Sequence, residues 1–295
     1  MKKISLLFSV FICLSCLTGC NFKINIDFET DAIIEAILEN NLEVLKSELE
    51  KGKAPNEYFK LKLDDSNILL VNPLEEACYL KNYEAVALLF QFGADVNIPF
   101  ISGLSPLCMA CLPPKMRQLY SDPPVLNQQT ELIRFLLEQG ADPNFEINDS
   151  GSIGYSNKVT PLLLVLSELN EQEKVNTNAS ILLQYGAQII PFSCLYLSAG
   201  ANYFDLSDKF IELGADLNAK SDLESKTCLM MFLENASSNN KHQKLYLNGA
   251  SYLIDKGANF QEKDAILQKS PYEVAVEKGF SDLVQQMDLI MAEIC

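Results

Sequence analysis

Three sets of residues in this chain could in principle take part in catalysis: paired thiols, adjacent carboxylates and one imidazole. Cys108 and Cys111 form a Cys-x-x-Cys motif, and in the first turn of a helix the dipole lowers the pKa of a thiol. Carboxylates such as Glu75 and Glu76 are adjacent, whereas a general acid and base need a dry pocket that holds them apart. The single imidazole, His242, cannot by itself build a His-based triad or a His-rich metal site.

Other catalytic signatures are missing from the sequence. It contains no Gly-x-Ser-x-Gly elbow and no phosphate-binding Gly loop. Thioredoxin-like use of Cys108 and Cys111 would need a surrounding βαβ pattern, which the sequence lacks. Three interpretations of the two thiols remain open: redox activity, a structural disulfide in an oxidising compartment, or small side chains that fill a core. We expect a protein that is not an enzyme and has no metal and no cofactor.

Helix ends recur along the chain. Aliphatic runs end in Gly six times, usually followed by Ala and then Asp or Asn. Gly tolerates the left-handed conformation that terminates a helix. The six glycines are Gly52, Gly93, Gly140, Gly186, Gly214 and Gly257. Recurrence at intervals of a few tens of residues predicts a repeat architecture, in which each unit packs only on its neighbours.

Helix starts recur as well. A capping side chain stands directly before Pro at Asn72-Pro73, Ser105-Pro106, Thr160-Pro161 and Ser270-Pro271. The side-chain oxygen of such a residue accepts a bond from an unpaired N–H, and Pro in the first helical position loses no bond. Apolar residues at helical spacing follow, for example Leu132, Phe135 and Leu136. Each unit is therefore predicted to be helix, turn, helix, Gly stop and loop.

Spacing identifies a family that this chain resembles. Pro73 to Gly93 is 20 residues and Gly93 to Pro106 is 13, which together make 33. The ankyrin repeat family has this period, with a Thr-Pro-Leu-His helix start and a Gly-Ala-Asp-x-Asn end. Glu75 and Cys108 replace the family's His. The resemblance covers residues 30–290 and implies an all-α, ankyrin-type helix-turn-helix solenoid of about seven irregular repeats with hairpin-like finger loops.

Departures from the 33-residue period predict where this chain is irregular. Excess residues fall at 113–126 and 234–244, inside repeats, and at 145–157, which should form a long projecting finger. Only five positions separate Gly186 from Pro191, so we expect no finger there. The first and last units carry more charged residues than the middle ones, as expected for the terminal repeats that cap a solenoid.

The N-terminus resembles a bacterial lipoprotein signal. Lys2 and Lys3 precede an apolar run that is too short to span a bilayer and suits a secretory signal. Leu17-Thr18-Gly19-Cys20 is similar to a lipobox, which implies lipidation at Cys20; an ordinary signal peptide is the alternative. We predict a signal peptide over 1–19, a tether over 20–29 and an ankyrin repeat domain over 30–295. Asn21 favours the inner leaflet of the outer membrane over the inner membrane.

Charge restricts the partner. The formal charge is −16 and becomes −18 when residues 1–19, which carry two lysines and no acids, are removed. An acidic protein repels nucleic-acid backbones and anionic lipid surfaces, so we expect no nucleic acid and no membrane contact beyond the anchor. Two interpretations of the acidity stay open: solubility of the solenoid, or attraction of a basic protein.

The family resemblance implies a binding surface. In ankyrin repeat proteins the concave face of fingers and first helices usually binds other proteins, and we expect a monomer that does so here. The alternatives are an immunity protein that neutralises a toxic effector in the periplasm and a thiol redox protein using Cys108 and Cys111. The residues predicted to contact a partner are Tyr79, Lys81, Phe100, Ile101, Glu146, Asn148, Asp149, Ile153, Tyr155, Asp222 and Glu224.

Overall fold

A computed structural model describes residues 31–62, 68–101, 103–113, 128–148, 153–169, 171–236 and 242–294. Within these residues fourteen helices follow one another as seven consecutive pairs, in agreement with the repeat spacing of the sequence. The pairs are α1 (Ala32–Leu38) with α2 (Leu42–Glu50), α3 (Pro73–Tyr79) with α4 (Tyr83–Gln91), α5 (Pro106–Cys111) with α6 (Gln129–Glu138), α7 (Pro161–Leu166) with α8 (Gln172–Gln184), α9 (Pro191–Gly200) with α10 (Phe204–Glu212), α11 (Cys228–Asn235) with α12 (Gln243–Asp255), and α13 (Pro271–Glu277) with α14 (Ser281–Ile294).

The predicted helix starts are confirmed, together with their chemistry. Asn72 accepts hydrogen bonds from the backbone N–H groups of Leu74 and Glu75, at 2.8 and 3.2 Å. Ser105 and Thr160 accept equivalent bonds at the starts of α5 and α7. At α13, Ser270 and Glu273 form a reciprocal capping box. These four first helices therefore begin where a side chain replaces the missing intrahelical partner, whereas α9 begins after Ile190 without a side-chain cap.

The predicted helix ends are confirmed too. All six repeat glycines have positive φ, between 88° and 97°. Ala94 N donates to Leu89 O at 3.1 Å, and Ala258 N donates to Leu253 O at 2.9 Å. The left-handed residue thus turns the chain back so that carbonyls in the last helical turn are satisfied. Because Gly adopts this conformation without a steric penalty, the second helices stop at fixed positions.

Two small antiparallel sheets lie in the fingers, which are the loops that join successive helix pairs. Strands β1 (Phe59–Lys62) and β2 (Ile68–Val71) pair with Phe59 opposite Val71. The sequence analysis did not predict this hairpin. Strands β3 (Ile147–Asn148) and β4 (Lys158–Val159) form the second sheet, inside the predicted long finger. No strand is present in residues 187–190, where no finger was expected.

The chain divides into two units, with boundaries after residue 147, within α8 and after residue 186. The first comprises residues 1–147 with 181–186, and the second comprises 148–180 with 187–295. Each unit has its own apolar core, built from aliphatic and aromatic side chains of both helices of its repeats. Fully buried examples in the first unit are Ile33, Leu74, Leu107 and Leu132, and in the second Leu195, Phe210, Phe232 and Leu253.

Candidate protein-interaction surface

Asparagine side chains hold neighbouring fingers of the first unit at a fixed spacing. Asn97 Nδ2 donates to Gly140 O, and Asn97 Oδ1 accepts from Asp142 N, both at 3.0 Å. Asn56 makes the same pair of bonds with Gly93 O and Asp95 N, also at 3.0 Å. Each amide side chain thus donates one hydrogen bond to the backbone of the next repeat and accepts one from it. The finger bases are positioned before any partner binds.

Two of the predicted contact residues in the first unit are buried, which corrects the prediction for them. Lys81 is 2% exposed, has φ 56°, and its Nζ donates to Met109 O at 2.6 Å. Its ammonium therefore stabilises the C-terminal end of α5, where carbonyls lack intrahelical partners. Phe100 is 4% exposed, and its N–H donates to Leu104 O at 2.9 Å. Neither side chain is open to a partner in this structure.

Other predicted residues of the first unit are accessible. Ile101 is 52% exposed at the tip of the finger between α4 and α5. Tyr79, at the end of α3, is half-buried, and Glu146 is exposed. An aliphatic side chain that is half exposed on a finger tip can contribute to binding by burial against a partner.

The long finger of the second unit packs its tip on α9. Ser193 Oγ donates to Gly154 O at 2.8 Å, and the ring of Tyr155 meets that of Tyr196 edge-on, with 5.2 Å between centroids. Burial, followed by the nearby hydroxyls of Tyr246 and Tyr155, raises the Tyr196 pKa well above its usual value. The Ser193 hydrogen bond and the ring contact between Tyr155 and Tyr196 fasten the finger tip to α9.

The other predicted residues of this finger differ in exposure. Asn148 is exposed, Ile153 and Tyr155 are half-buried, and Tyr155 adopts φ 54°. Asp149 lies outside the described residues. Tyr155 packs on Tyr196 and also retains accessible surface, so this packing does not prevent contact with a partner.

Finger 5, defined as residues 219–227, carries the last two predicted residues. Asp222 is exposed and Glu224 is half-buried. Lys226 Nζ lies between Glu234 Oε2, at 2.8 Å, and Glu224 Oε2, at 3.2 Å. Hydrogen bonds to Glu234 and then Glu224 raise the Lys226 pKa. The lysine neutralises part of this surface and leaves the acidic residues in excess.

Sequence reasoning missed the apolar tips of two fingers. Leu223 in finger 5 is 44% exposed, and Ile266 in finger 6, defined as residues 262–270, is 71% exposed. Gly214 and Gly257 are 43 residues apart, as are Leu223 and Ile266. Alignment of the two fingers on their glycines would have revealed a repeated aliphatic position within otherwise polar segments.

The thiol pair lacks the environment that redox catalysis requires. Cys108 and Cys111 are both buried and free. Burial raises the pKa of Cys108 to about 11 and that of Cys111 well above its usual value. The desolvation penalty on the thiolate therefore outweighs the helix N-terminus that was expected to lower these pKa values. Both thiols pack the core, as do the other buried cysteines Cys78, Cys194 and Cys228.

Two further properties concern only the part of the chain that the structure covers. Among those residues, no group of three or more His, Cys, Asp or Glu side chains is arranged to bind a metal ion. None of the helices described here has the length and apolar character needed to cross a bilayer. The lipidation site predicted at Cys20 lies outside the described residues.

Comparisons with known proteins identify the fold. No protein-family model matches the chain, and no curated protein sequence matches it. Solved structures do match. The human ASB11 ankyrin repeat domain is 23% identical and has a TM-score of 0.58, with 88% of this chain and 97% of that chain covered. The ankyrin repeat domain of Bcl-3, a member of the IkappaB protein family, is 17% identical with a TM-score of 0.55, over 88% and 99% of the two chains.

A bacterial ankyrin repeat domain, from Acinetobacter baumannii AYE, is 16% identical with a TM-score of 0.52 and covers 74% of this chain and 96% of its own. At these identities the similarity concerns the fold alone. The chain therefore has the all-α helix-turn-helix fold of ankyrin repeat domains, as its spacing predicts.

Proposed function

We propose that this chain is a lipid-anchored, periplasm-facing scaffold that binds another protein through its fingers and first helices. The supporting observation is that the fingers are fixed at their bases and expose side chains at their tips. Asn97 bridges two finger bases with two hydrogen bonds, whereas Ile101 and Asp222 are exposed. A surface that is ordered before binding loses less conformational entropy when a partner binds.

The core composition also supports a scaffold. The thiols, which were the strongest catalytic candidates in the sequence, are buried and protonated. Both side chains pack the apolar core. The acidity of the chain, −16 in formal charge, favours association with a basic protein, because opposite charges accelerate encounter.

Site-specific crosslinking in cells tests the binding surface. A photo-crosslinking residue in place of Asn148 should capture one reproducible protein, because this position is exposed in the long finger. The matched control is the same residue in place of Glu138, which is exposed on a second helix. Equal capture at both positions, or none at either, would remove the support for a finger-based surface. A captured protein that kills cells lacking this gene would assign the immunity role.

The lipid anchor requires a separate test. Cys20 follows Leu17-Thr18-Gly19, and two or more acyl chains hold a protein stably on a membrane. Cells grown with an alkyne-bearing fatty acid should label the wild type and the Cys13→Ser control, but not Cys20→Ser. Density-gradient separation of the membranes should place the labelled protein in the outer membrane. Equal labelling of Cys20→Ser would show that acylation does not occur at this thiol.

A further inference from the structure

Fingers 5 and 6 of the second unit have the same backbone conformation. Ser221 N donates to Lys226 O in finger 5, and Asp264 N donates to Lys269 O in finger 6, each at 2.9 Å. The residues near the end of each turn, Ser225 and Gln268, also correspond. Their φ angles are 54° and 55°, and their N–H groups donate to Ser221 O and Asp264 O at 3.0 and 2.9 Å. The two fingers are therefore two copies of one turn.

Both turns hold aliphatic side chains in solvent. Leu223 is 44% exposed, Ile266 71% and Leu267 37%. In finger 6 the buried Asp264 accepts bonds from the N–H groups of Ile266 and Leu267, at 2.9 and 2.8 Å. Hydrogen bonds within each turn hold its backbone conformation, so Leu223, Ile266 and Leu267 are not needed for it. A single exposed aliphatic residue is common on protein surfaces, but here the same position is exposed in two copies of one turn, which makes the two tips a candidate contact site.

The bases of the two fingers are linked. Asn259 N donates to Asn218 Oδ1 at 2.8 Å, and Lys220 Nζ lies 3.6 Å from Glu262 Oε1. Packed helices lie 8–10 Å apart, so equivalent residues on successive repeats, and hence these tips, are expected about 10 Å apart. An extended polypeptide advances about 3.3–3.6 Å per residue. Side chains two or three residues apart on such a segment lie about 7–11 Å apart, a range that includes this separation.

Charges around the tips are unbalanced toward the acidic side. Each lysine of the two fingers has a carboxylate partner: Lys220 with Glu262, Lys226 with Glu224 and Glu234, Lys263 with Glu273, and Lys269 with Glu277. Asp222 adds an exposed carboxylate and Asp264 a buried one, so seven acidic residues, six of them outside the core, surround four lysines. The lysines are thus neutralised within the protein, and the remaining negative charge is available to a cationic ligand.

We infer that fingers 5 and 6 bind an extended, basic polypeptide segment that has aliphatic side chains two or three residues apart. Its aliphatic side chains contact Leu223 and Ile266, and its Lys or Arg residues lie against Asp222 and Glu224. This inference rests on the proposed protein-binding function and narrows it to one partner chemistry and one pair of fingers.

Fluorescence anisotropy with a defined probe tests the inference. The probe is a labelled octapeptide of alternating Lys and Val, and the protein is the full chain purified in mild detergent. Leu223→Ser and Ile266→Ser should each weaken binding by about fivefold to tenfold, as expected for a central apolar contact. Leu213→Ser is the matched control, because Leu213 is a 53%-exposed aliphatic residue at the end of α10, outside both fingers. Its binding should equal that of the wild type.

Two altered peptides separate the apolar and charged contributions. A peptide with Ser in place of Val should bind more weakly by a similar factor, and a peptide with Glu in place of Lys should not bind. Asp222→Asn with Glu224→Gln should reduce affinity and its dependence on salt. Thermal melts should be unchanged, since all the replaced side chains are at least partly exposed. Equal binding by the wild type, Leu223→Ser and Ile266→Ser would overturn the inference.

Crosslinking distinguishes failure of this inference from failure of the proposed function. A photo-crosslinking residue in place of Ile266 should capture the same protein in cells as one in place of Asn148. Capture at Asn148 but not at Ile266 would overturn the role of fingers 5 and 6 while leaving protein binding intact. Absence of capture at both positions would overturn both proposals.

Discussion

Ser193 on α9 donates its hydroxyl hydrogen to the carbonyl oxygen of Gly154, across 2.8 Å. This bond joins the tip of the long finger at residues 145–157 to α9, the helix that is preceded by no finger. Only six residues, 185–190, connect α8 to α9, so no finger precedes α9 to cover its first turns. The extra residues of the finger at 145–157 and the short connection before α9 are therefore related: the long finger packs on the helix that has no finger of its own.

Gly154→Ala should destabilise the second unit more than an ordinary Gly→Ala change at positive φ. Gly154 has φ 61°, and a Cβ there would lie 3.0 Å from Ser193 Cβ and 3.2 Å from Leu197 Cδ1. Conformational strain and steric overlap together should cost about 2–3 kcal/mol, measured by urea denaturation. Gly103→Ala is the control, since φ is 83° but no atom lies within 4 Å of the new Cβ; about 1 kcal/mol is expected. Equal effects would show that contact with α9 does not constrain the finger.

Lys81→Met should lower the stability of the first unit by about 1–3 kcal/mol, because the bond from a buried ammonium to a helix C-terminal carbonyl is lost. The present bond joins Lys81 Nζ to Met109 O at 2.6 Å. Lys244→Met, at an exposed position, controls for removal of a positive charge. Urea denaturation compares the two. A Lys81→Met protein as stable as the wild type would show that the ammonium can be replaced by packing alone.

The cysteines of the described core should react with thiol reagents only after unfolding. With a pKa of about 11, Cys108 has a thiolate fraction of about one in a thousand at pH 8, and burial also blocks access. Alkylation at pH 8, followed by mass-spectrometric mapping, should find Cys108 and Cys111 unmodified in the native protein and modified in denaturant. Rapid native alkylation of either residue would contradict the buried geometry and restore the case for redox activity.

Stability of the first repeat should fall in acid as Glu48 becomes protonated. Hydrogen bonds with Lys51 and Lys53, at 2.6 and 2.8 Å, lower the Glu48 pKa from 4.5 to about 2. Because the folded-state pKa is depressed, the stabilisation is complete above pH 4.5 and is lost as the pH falls toward about 2. Hydrogen exchange of α1 and α2, corrected for intrinsic rates, should show this loss.

The control variants for this pH effect lie in the same helix. Glu48→Gln should reduce protection at neutral pH and flatten its dependence between pH 4.5 and 2. Glu43→Gln, at an exposed position of α2, should retain the acid-induced loss. An unchanged pH profile in Glu48→Gln would assign the loss to other carboxylates.

Helix boundaries could be predicted from the sequence because they depend on local chemistry. An oxygen-bearing side chain before Pro73 or Pro106 satisfies N–H groups two or three residues away. Gly at position 93 or 257 permits the left-handed turn irrespective of distant contacts. The β1–β2 hairpin also has a local signal, because apolar and polar residues alternate in Phe59-Lys60-Leu61-Lys62 and Asp64-Asp65-Ser66-Asn67 favours a turn.

Individual surface residues were predicted less well. Ile101 is exposed as expected, whereas its neighbour Phe100 is buried, and Lys81 is buried although lysine is rarely so. In a finger of a few residues, neighbouring side chains can point to the core or to solvent, and no periodicity distinguishes the two. The aliphatic tips Leu223 and Ile266 were missed because a single exposed aliphatic residue has no local signal.

The sequence by itself determined the repeat, its seven helix pairs and the positions where its length departs from the family period. These follow from caps, glycines and spacing, which act over a few residues. Only the tertiary structure decided which side chains are buried and which are exposed. Lys81 bonds to a carbonyl of α5, the finger that contains Gly154 packs on α9, and the aliphatic tips of fingers 5 and 6 are exposed. Such roles depend on what another repeat places nearby, 28 residues away for Lys81 and 39 for Gly154, and a local pattern does not record it.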